Sequence, residues 1–371
     1  MNYTKSEDLL FESITGEKTY LVGHHIKGSE GPHIHIQSSV HGSEIQGNAV
    51  ILKLLQYLKS HKLQGSISLY PLANPKAVNQ KVGTYTSGRF NPITGDNWNR
   101  EYIDIVKKLK IDIKKFFKEN YKKDYKEIIS NYKALISSSL EAYISEASHP
   151  NKLNLILQLK ATHSNGVLDF HTGPNATRYL YCPEYCKESA KMIGIPHNLM
   201  ISNDFFGSMD EASFIHWIHL QKEFQQNGHS FVIPTESYTF EFGSEDLFSL
   251  KDADEDIEFV LNYLKFKGML SDEPKLTETQ YFCHIDHYKT IYAASSGLVE
   301  YKIEPGQHFK AGDLLYTVYQ MNKLDWNDPI RSTKQDIFAK EDGIIINRTP
   351  TSIIHEGMEV IQMMTNIYAQ V

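Results

Sequence analysis

The chain has 371 residues, 41% of them apolar and 22% charged, with a formal net charge of −7. That length supports a large core and predicts two or three domains. Lysine and arginine are spread out rather than gathered on one strongly basic face, which excludes a nucleic-acid binder on charge, and no run of about 18 apolar residues exists to span a membrane.

The N-terminus, MNYTKSEDLLFES, carries acidic residues and no long apolar core, so it does not read as a signal peptide. Cys182, Cys186 and Cys283 form an odd, sparse set. They argue against a disulfide framework and for a reducing, cytoplasmic location. Residues 18–26 and 33–40 are apolar and β-branched and read as strands. His41-Gly42-Ser43-Glu44 follows, and then Ile45, Val50, Leu54, Leu55 and Leu58 recur near a 3.6 period, so 43–60 reads as a helix. Residues 66–72 read as a strand ending at Asn74-Pro75, with a polar loop over 80–98. Residues 101–160 are lysine-rich and helical, and read as an inserted set of amphipathic helices with solvated lysines.

GVLDFHTG (166–173), RYLYC (178–182), 198–202 and TESYTFEFG (235–243) read as strands. They alternate with helices over 183–192, 210–224 and up to about 268. That alternation predicts an α/β fold, a mostly parallel mixed sheet flanked by helices. Sites in such sheets form at the carboxyl ends of strands. Residues 271–280 read as a linker, placing a boundary near 272/273. Beyond it come short β runs broken by Pro305-Gly306, Ala311-Gly312 and Glu356-Gly357. They predict an all-β barrel or sandwich with two similar halves.

The chemistry gathers at the strand ends. His41 and Glu44, three apart at a strand-to-helix junction, could hold one metal ion. Asp169 and His171 are two apart on a strand and share a face, so the carboxylate could orient the ring. Two histidines and one glutamate make the ligand set of a hydrolytic zinc. Glu241 sits among apolar neighbours, and a buried carboxylate needs a reason. It suits a general base beside a metal-activated water. Asn99 and Arg100 could clamp a carboxylate, and Arg89 could stabilise an oxyanion. Arg178, seven residues beyond His171, is a further candidate for touching substrate.

The order H-x-x-E, N-R, D-x-H-T-G, T-x-E-x-G resembles the zinc carboxypeptidase superfamily, and more closely the succinylglutamate desuccinylase/aspartoacylase family. The resemblance implies His41, Glu44 and His171 as ligands of one Zn2+ per chain, Glu241 as the catalytic glutamate, and Asn99-Arg100 as substrate-binding. The family's leading acidic residue in that last motif is here Asn97. The resemblance also implies a C-terminal domain like a biotinyl/lipoyl barrel. The substrate it implies is an N-acyl amino acid or similar small amide, with a short peptide cleaved by a carboxypeptidase as the alternative. A carrier role for the barrel would require a lysine flanked by methionines, and no Met-Lys-Met occurs. The division expected is 1–272, a zinc hydrolase domain with the 101–160 insertion, and 273–371, the β domain. No nucleic acid or membrane partner is expected, and a homo-oligomer is left open. His33 and His35 share a strand face and read as satisfied histidines rather than a second metal site. Tyr238 and Tyr288 read as packing residues with a second reading as pocket tyrosines.

Overall fold

The computed structural model describes residues 1–146, 148–276 and 279–370. Residues 277 and 278 of the expected linker lie outside it. A ten-stranded mixed sheet forms the centre. Across it the strands run Asn2–Glu12, Lys18–Lys27, Gln64–Tyr70, Ser29–Ser38, Gly166–Gly173, Glu236–Ser244, Arg178–Pro183, His197–Ile201, Gln280–His284 and Tyr368–Gln370. The four from Gln64–Tyr70 to Glu236–Ser244 are mutually parallel. Arg178–Pro183 runs antiparallel to Glu236–Ser244, and both flanks close with antiparallel pairs. The strand Asn2–Glu12 has no counterpart in the sequence reading. Its polar outer edge gives no two-residue apolar rhythm, because an edge strand needs little apolar surface.

Alternation along the central strands divides the sheet into two faces. Ile34, Ile36, Leu168, Phe170, Phe240 and Phe242 turn one way, into the main apolar core. There they meet Val50 and Leu54 of the helix Gln46–Leu58, and Val260 and Leu264 of the helix Ala253–Phe266. The neighbours between them turn the other way, toward the helices of 101–160 and the helix Met209–Gln226. Phe116, Tyr132 and Ile136 of the 101–160 region pack on Phe214, Trp217 and Phe224 of that last helix. The insertion is therefore part of the fold's second core.

Beyond the sheet edge, two four-stranded antiparallel sheets form a sandwich. Gly297–Tyr301 and Leu314–Tyr319 lie in one, Gly343–Arg348 and Glu359–Met364 in the other. The short strand of each half crosses over: His308–Phe309 pairs with Gly343–Arg348, and Ile353–Ile354 with Gly297–Tyr301. Gln280–His284 and Tyr368–Gln370, on the C-terminal side of the sequence division, are the last two strands of the main sheet. A shared core of Ala176, Tyr179 and Leu199 with Ile344, Ile346 and Met364 joins sandwich to sheet. No helix among the described residues is long and apolar enough to cross a membrane.

Candidate active site

The strand Ser29–Ser38 ends at Ser39, a buried non-glycine residue with φ of 62°. That left-handed turn carries the chain out of the sheet and into the His41–Glu44 segment. Ser39 Oγ donates to Glu44 O (3.2 Å) and accepts from Asn48 Nδ2 (2.8 Å), tying the turn to the following helix. Gly42 is required by close approach, because a Cβ there would lie 2.1 Å from Ala77 O. Gly47 plays the same part against the neighbouring strand, where a Cβ would meet Phe170 Cβ at 2.5 Å.

His171 comes from the strand Gly166–Gly173 and meets the segment end-on. Glu44 lies between the two imidazoles: Oε1 is 2.8 Å from His41 Nδ1, and Oε2 is 2.6 Å from His171 Nδ1. All three residues are at most 3% exposed. One donor atom from each lies within 4.8 Å of the others, and this is the one such cluster of three or more metal-binding side chains found among the described residues.

The far nitrogens are also engaged. His41 Nε2 donates to Asn97 Oδ1 (2.8 Å), which also accepts from Asn99 N (2.8 Å). His171 Nε2 donates to Asp169 Oδ2 (2.9 Å). Partners on Nε2 leave each Nδ1 as the electron-pair donor, the tautomer a metal ligand needs. Burial works to raise the Glu44 carboxyl, yet His41 and His171 hold it well below its ordinary range. Burial likewise works to lower His171, and Asp169 and Glu44 hold it well above the ordinary imidazole value. The cluster thus wants positive charge between Glu44 and the rings, which a divalent cation supplies as well as protons do. Two imidazoles and a carboxylate with an open side form a donor set that fits such an ion.

Glu241 lies level with His171 on the parallel neighbour strand, and level with Tyr179 on the antiparallel one. It is 9% exposed, and its Oε2 has no hydrogen-bond partner among the described residues. Burial, then the Glu44 charge, push its carboxyl up to about 8, against His171 and Arg89. Arg89 donates from Nη1 to Glu44 Oε1 (2.9 Å) with its side chain half exposed. Asn99 Oδ1 accepts from Met209 N at the start of the helix Met209–Gln226 (3.1 Å), which leaves its Nδ2 on the His171 side (3.4 Å). Arg100 donates to Asn99 O (2.7 Å) and, among the described residues, pairs with no carboxylate.

These groups line one cavity of about 480 Å³, a size suited to a small molecule. Arg178 is not brought there. In its strand Tyr179 and Tyr181 turn to the cavity, while Arg178 shares the opposite face with Leu180. Its Nε donates to the fully buried Asp256 (2.9 Å), so its place is structural rather than at the substrate.

The cavity wall includes residues the sequence reading did not single out: Tyr179, Tyr181, Asp210, Asn347, Glu359 and Gln362. Alternation in RYLYC would have found the two tyrosines. No local pattern marks the rest, which come from a helix start and from the sandwich. Tyr238 is buried in the apolar core, and Tyr288 lies against the rings of Tyr179 and Tyr181. His33 Nδ1 is satisfied by Ser66 Oγ (2.8 Å); His35 Nε2 meets Gln37 Oε1 (3.0 Å), while its buried Nδ1 has no partner among the described residues, so His35 is only half satisfied. The three cysteines are free and buried.

Known proteins place the architecture. No functionally curated protein matches the chain. Residues 30–267 match the family model described as the succinylglutamate desuccinylase/aspartoacylase catalytic domain. A Shewanella frigidimarina NCIMB 400 protein, provisionally assigned as a succinylglutamate desuccinylase/aspartoacylase, is 33% identical with a TM-score of 0.93, over 99% of this chain and 98% of its own. A second, provisionally assigned to the same family, from Shewanella amazonensis SB2B, is 34% identical with a TM-score of 0.92, over 99% of this chain and 100% of its own. The product-bound ectoine utilization protein EutE (DoeB) of Ruegeria pomeroyi shares the fold at 16% identity, with a TM-score of 0.67 over 98% of this chain and 95% of its own. With the match spanning most of the chain and the His-Glu-His cluster inside it, this protein belongs to the succinylglutamate desuccinylase/aspartoacylase family of metal-dependent deacylases.

Proposed function

We propose that the chain is a hydrolase holding one zinc ion, which cleaves the amide bond of a small carboxylate-bearing substrate such as an N-acyl amino acid. The observation that carries this reading is the convergence of His41, Glu44 and His171 beside Glu241, a buried carboxyl with an oxygen unpartnered among the described residues. His41, Glu44 and His171 would hold the ion. When bound, zinc polarises the scissile carbonyl and brings the pKa of a water toward neutrality.

Glu241 takes a proton from the attacking water as the new C–O bond forms. It then delivers that proton to the amine nitrogen as the C–N bond breaks. A carboxyl lifted toward neutral pH by burial is matched to both halves of the transfer. Asp169 keeps the His171 ring in place through Nε2, and Asn97 does the same for His41. Arg89, at the Glu44 side of the cavity, stabilises the charge that develops on the carbonyl oxygen. Arg100, with no carboxylate partner among the described residues, and Asn99 take the substrate carboxylate.

The test is elemental analysis of the purified protein and of His41→Ala, followed by hydrolysis assays with N-acyl amino acids and short peptides. About one zinc per chain, lost in the variant, with cleavage of N-acyl amino acids, is the expected result. Absence of metal after zinc is supplied would overturn the reading. Preferential cleavage of peptide C-termini would replace deacylation by carboxypeptidase activity.

A further inference from the structure

The sandwich contributes to the cavity an amide whose orientation the structure determines and whose N–H groups face outward from its own partners. Gln362, on the strand Glu359–Met364, faces the cavity. Its Oε1 accepts from Asn347 Nδ2 (3.0 Å) and from Tyr288 Oη (3.1 Å). Two donors on one amide oxygen fix which end of the amide is which. The Nε2 group is then left with two N–H donors that meet no protein acceptor among the described residues.

The support is rigid. Asn347 Oδ1 accepts from Asn175 N (3.1 Å), and backbone bonds run from Thr177 N to Ile346 O (3.0 Å) and from Arg348 N to Asn175 O (2.9 Å). Asn175–Thr177 follow the His171 strand directly. The chain that carries the metal ligand therefore also holds the residue that orients Gln362.

The charges on the wall limit what Gln362 can read. Among the described residues, Arg89 and Arg100 are the two arginine or lysine side chains that line the cavity, and Arg89 is on Glu44. Asp210, Glu211 and Glu359 line it as well, beyond Glu44 and Glu241. A first substrate carboxylate has Arg100. A second would find no further arginine or lysine among the described lining residues and would add charge to an acid-rich wall.

We infer that Gln362, oriented by Asn347 and Tyr288, is a specificity-determining donor that reads an uncharged acceptor on a substrate carrying a single carboxylate. The inference rests on the hydrolase reading above and narrows its substrate class. It excludes, as preferred substrates, amides with a dicarboxylic acyl or amino acid part.

The test compares kcat/KM of the zinc-loaded enzyme for N-acetylalanine, N-acetylglutamine, N-acetylaspartate and N-succinylalanine. The expected order puts the two monocarboxylates about tenfold or more ahead of the two dicarboxylates. Gln362→Leu should raise KM for N-acetylglutamine about tenfold, the size of one lost hydrogen bond. It should leave kcat within about twofold, the mark of a lost binding contact rather than of lost chemistry. Gln362→Arg should narrow the gap to the dicarboxylates. A wild-type preference for dicarboxylates, or a Gln362→Leu protein with an unchanged substrate profile, would overturn the inference. Calorimetric binding of the same four compounds to Glu241→Gln separates the two readings. If nothing is hydrolysed, the hydrolase assignment fails, and the order of binding still decides the role of Gln362. Equal binding of all four, or binding of none, would overturn it too.

Discussion

The two faces of the central sheet are built from the same strands, residue by residue, and share almost nothing chemically. On one, Leu168, Phe170, Leu180, Phe240 and Phe242 form a continuous apolar layer. On the other, His171, Tyr179, Thr239 and Glu241 form the cavity wall, with the fully buried Asp169 behind His171. Both faces are about equally buried. The difference is in what burial does: it stabilises the first face by removing apolar surface from water, and it tunes the second by making every charge depend on its neighbours. One face determines whether the sheet exists, and the other what it does.

The sharpest way to break this division is to damage each face alone. Glu241→Gln should keep the metal and the fold while lowering turnover by about 10²–10⁴, the usual weight of a general base. Steady-state kinetics with metal analysis checks both halves. On the opposite face and the same strand, Phe240→Ala should cost about 3–5 kcal/mol of stability, read by denaturant unfolding. Per folded molecule it should leave metal stoichiometry intact. If Phe240→Ala instead emptied the metal site at full folding, the two faces would not be separable.

Asp169→Asn tests the link from sheet to ligand. Losing the charge behind His171 should weaken metal affinity about 10- to 100-fold, measured by competition with a chelator, with little change in melting temperature.

Acidity offers a further test on metal-free protein. The folded Glu241 carboxyl is raised to about 8 from an ordinary 4.5, so the folded state keeps a proton that the unfolded chain releases. Its contribution to stability is full below pH 4.5 and is lost as pH rises to about 8. Unfolding titrations should show a decline on the order of a few kcal/mol over that window, clearly smaller in Glu241→Gln, where the His171 contribution remains.

The smallest effect belongs to Arg178→Ala. It should leave KM unchanged and cost about 1–2 kcal/mol, because Asp256 loses one donor but keeps Gln46 Nε2 at 3.1 Å.

The same alternation explains what the sequence disclosed. His41, Glu44, His171 and Glu241 were legible because each is a polar residue at the end of an apolar strand, in an order that fits one chemistry. Asp169 was legible because two-residue spacing on a strand means a shared face. Arg178 was misjudged by distance along the chain, when its parity with Leu180 already put it on the wrong face. Gln362 and Asn347 were not legible at all. They reach the cavity only because the sandwich docks on Ala176 and Tyr179, a contact between segments some 170 residues apart that no local pattern encodes. The edge strand Asn2–Glu12 was missed for the reverse reason, since with solvent on its outer side it carries little apolar signal.

Ser39 carries one more implication. Its left-handed backbone costs a non-glycine residue about 1–2 kcal/mol, spent immediately before the segment that aims His41 and Glu44. Ser39→Gly would relieve that strain but remove the hydroxyl that ties the turn to Glu44 O and Asn48. Backbone strain and the aim of the ligand segment are thus set by one side chain. The two terms are of similar size, so Ser39→Gly should leave stability little changed while freeing the segment that presents the ligands.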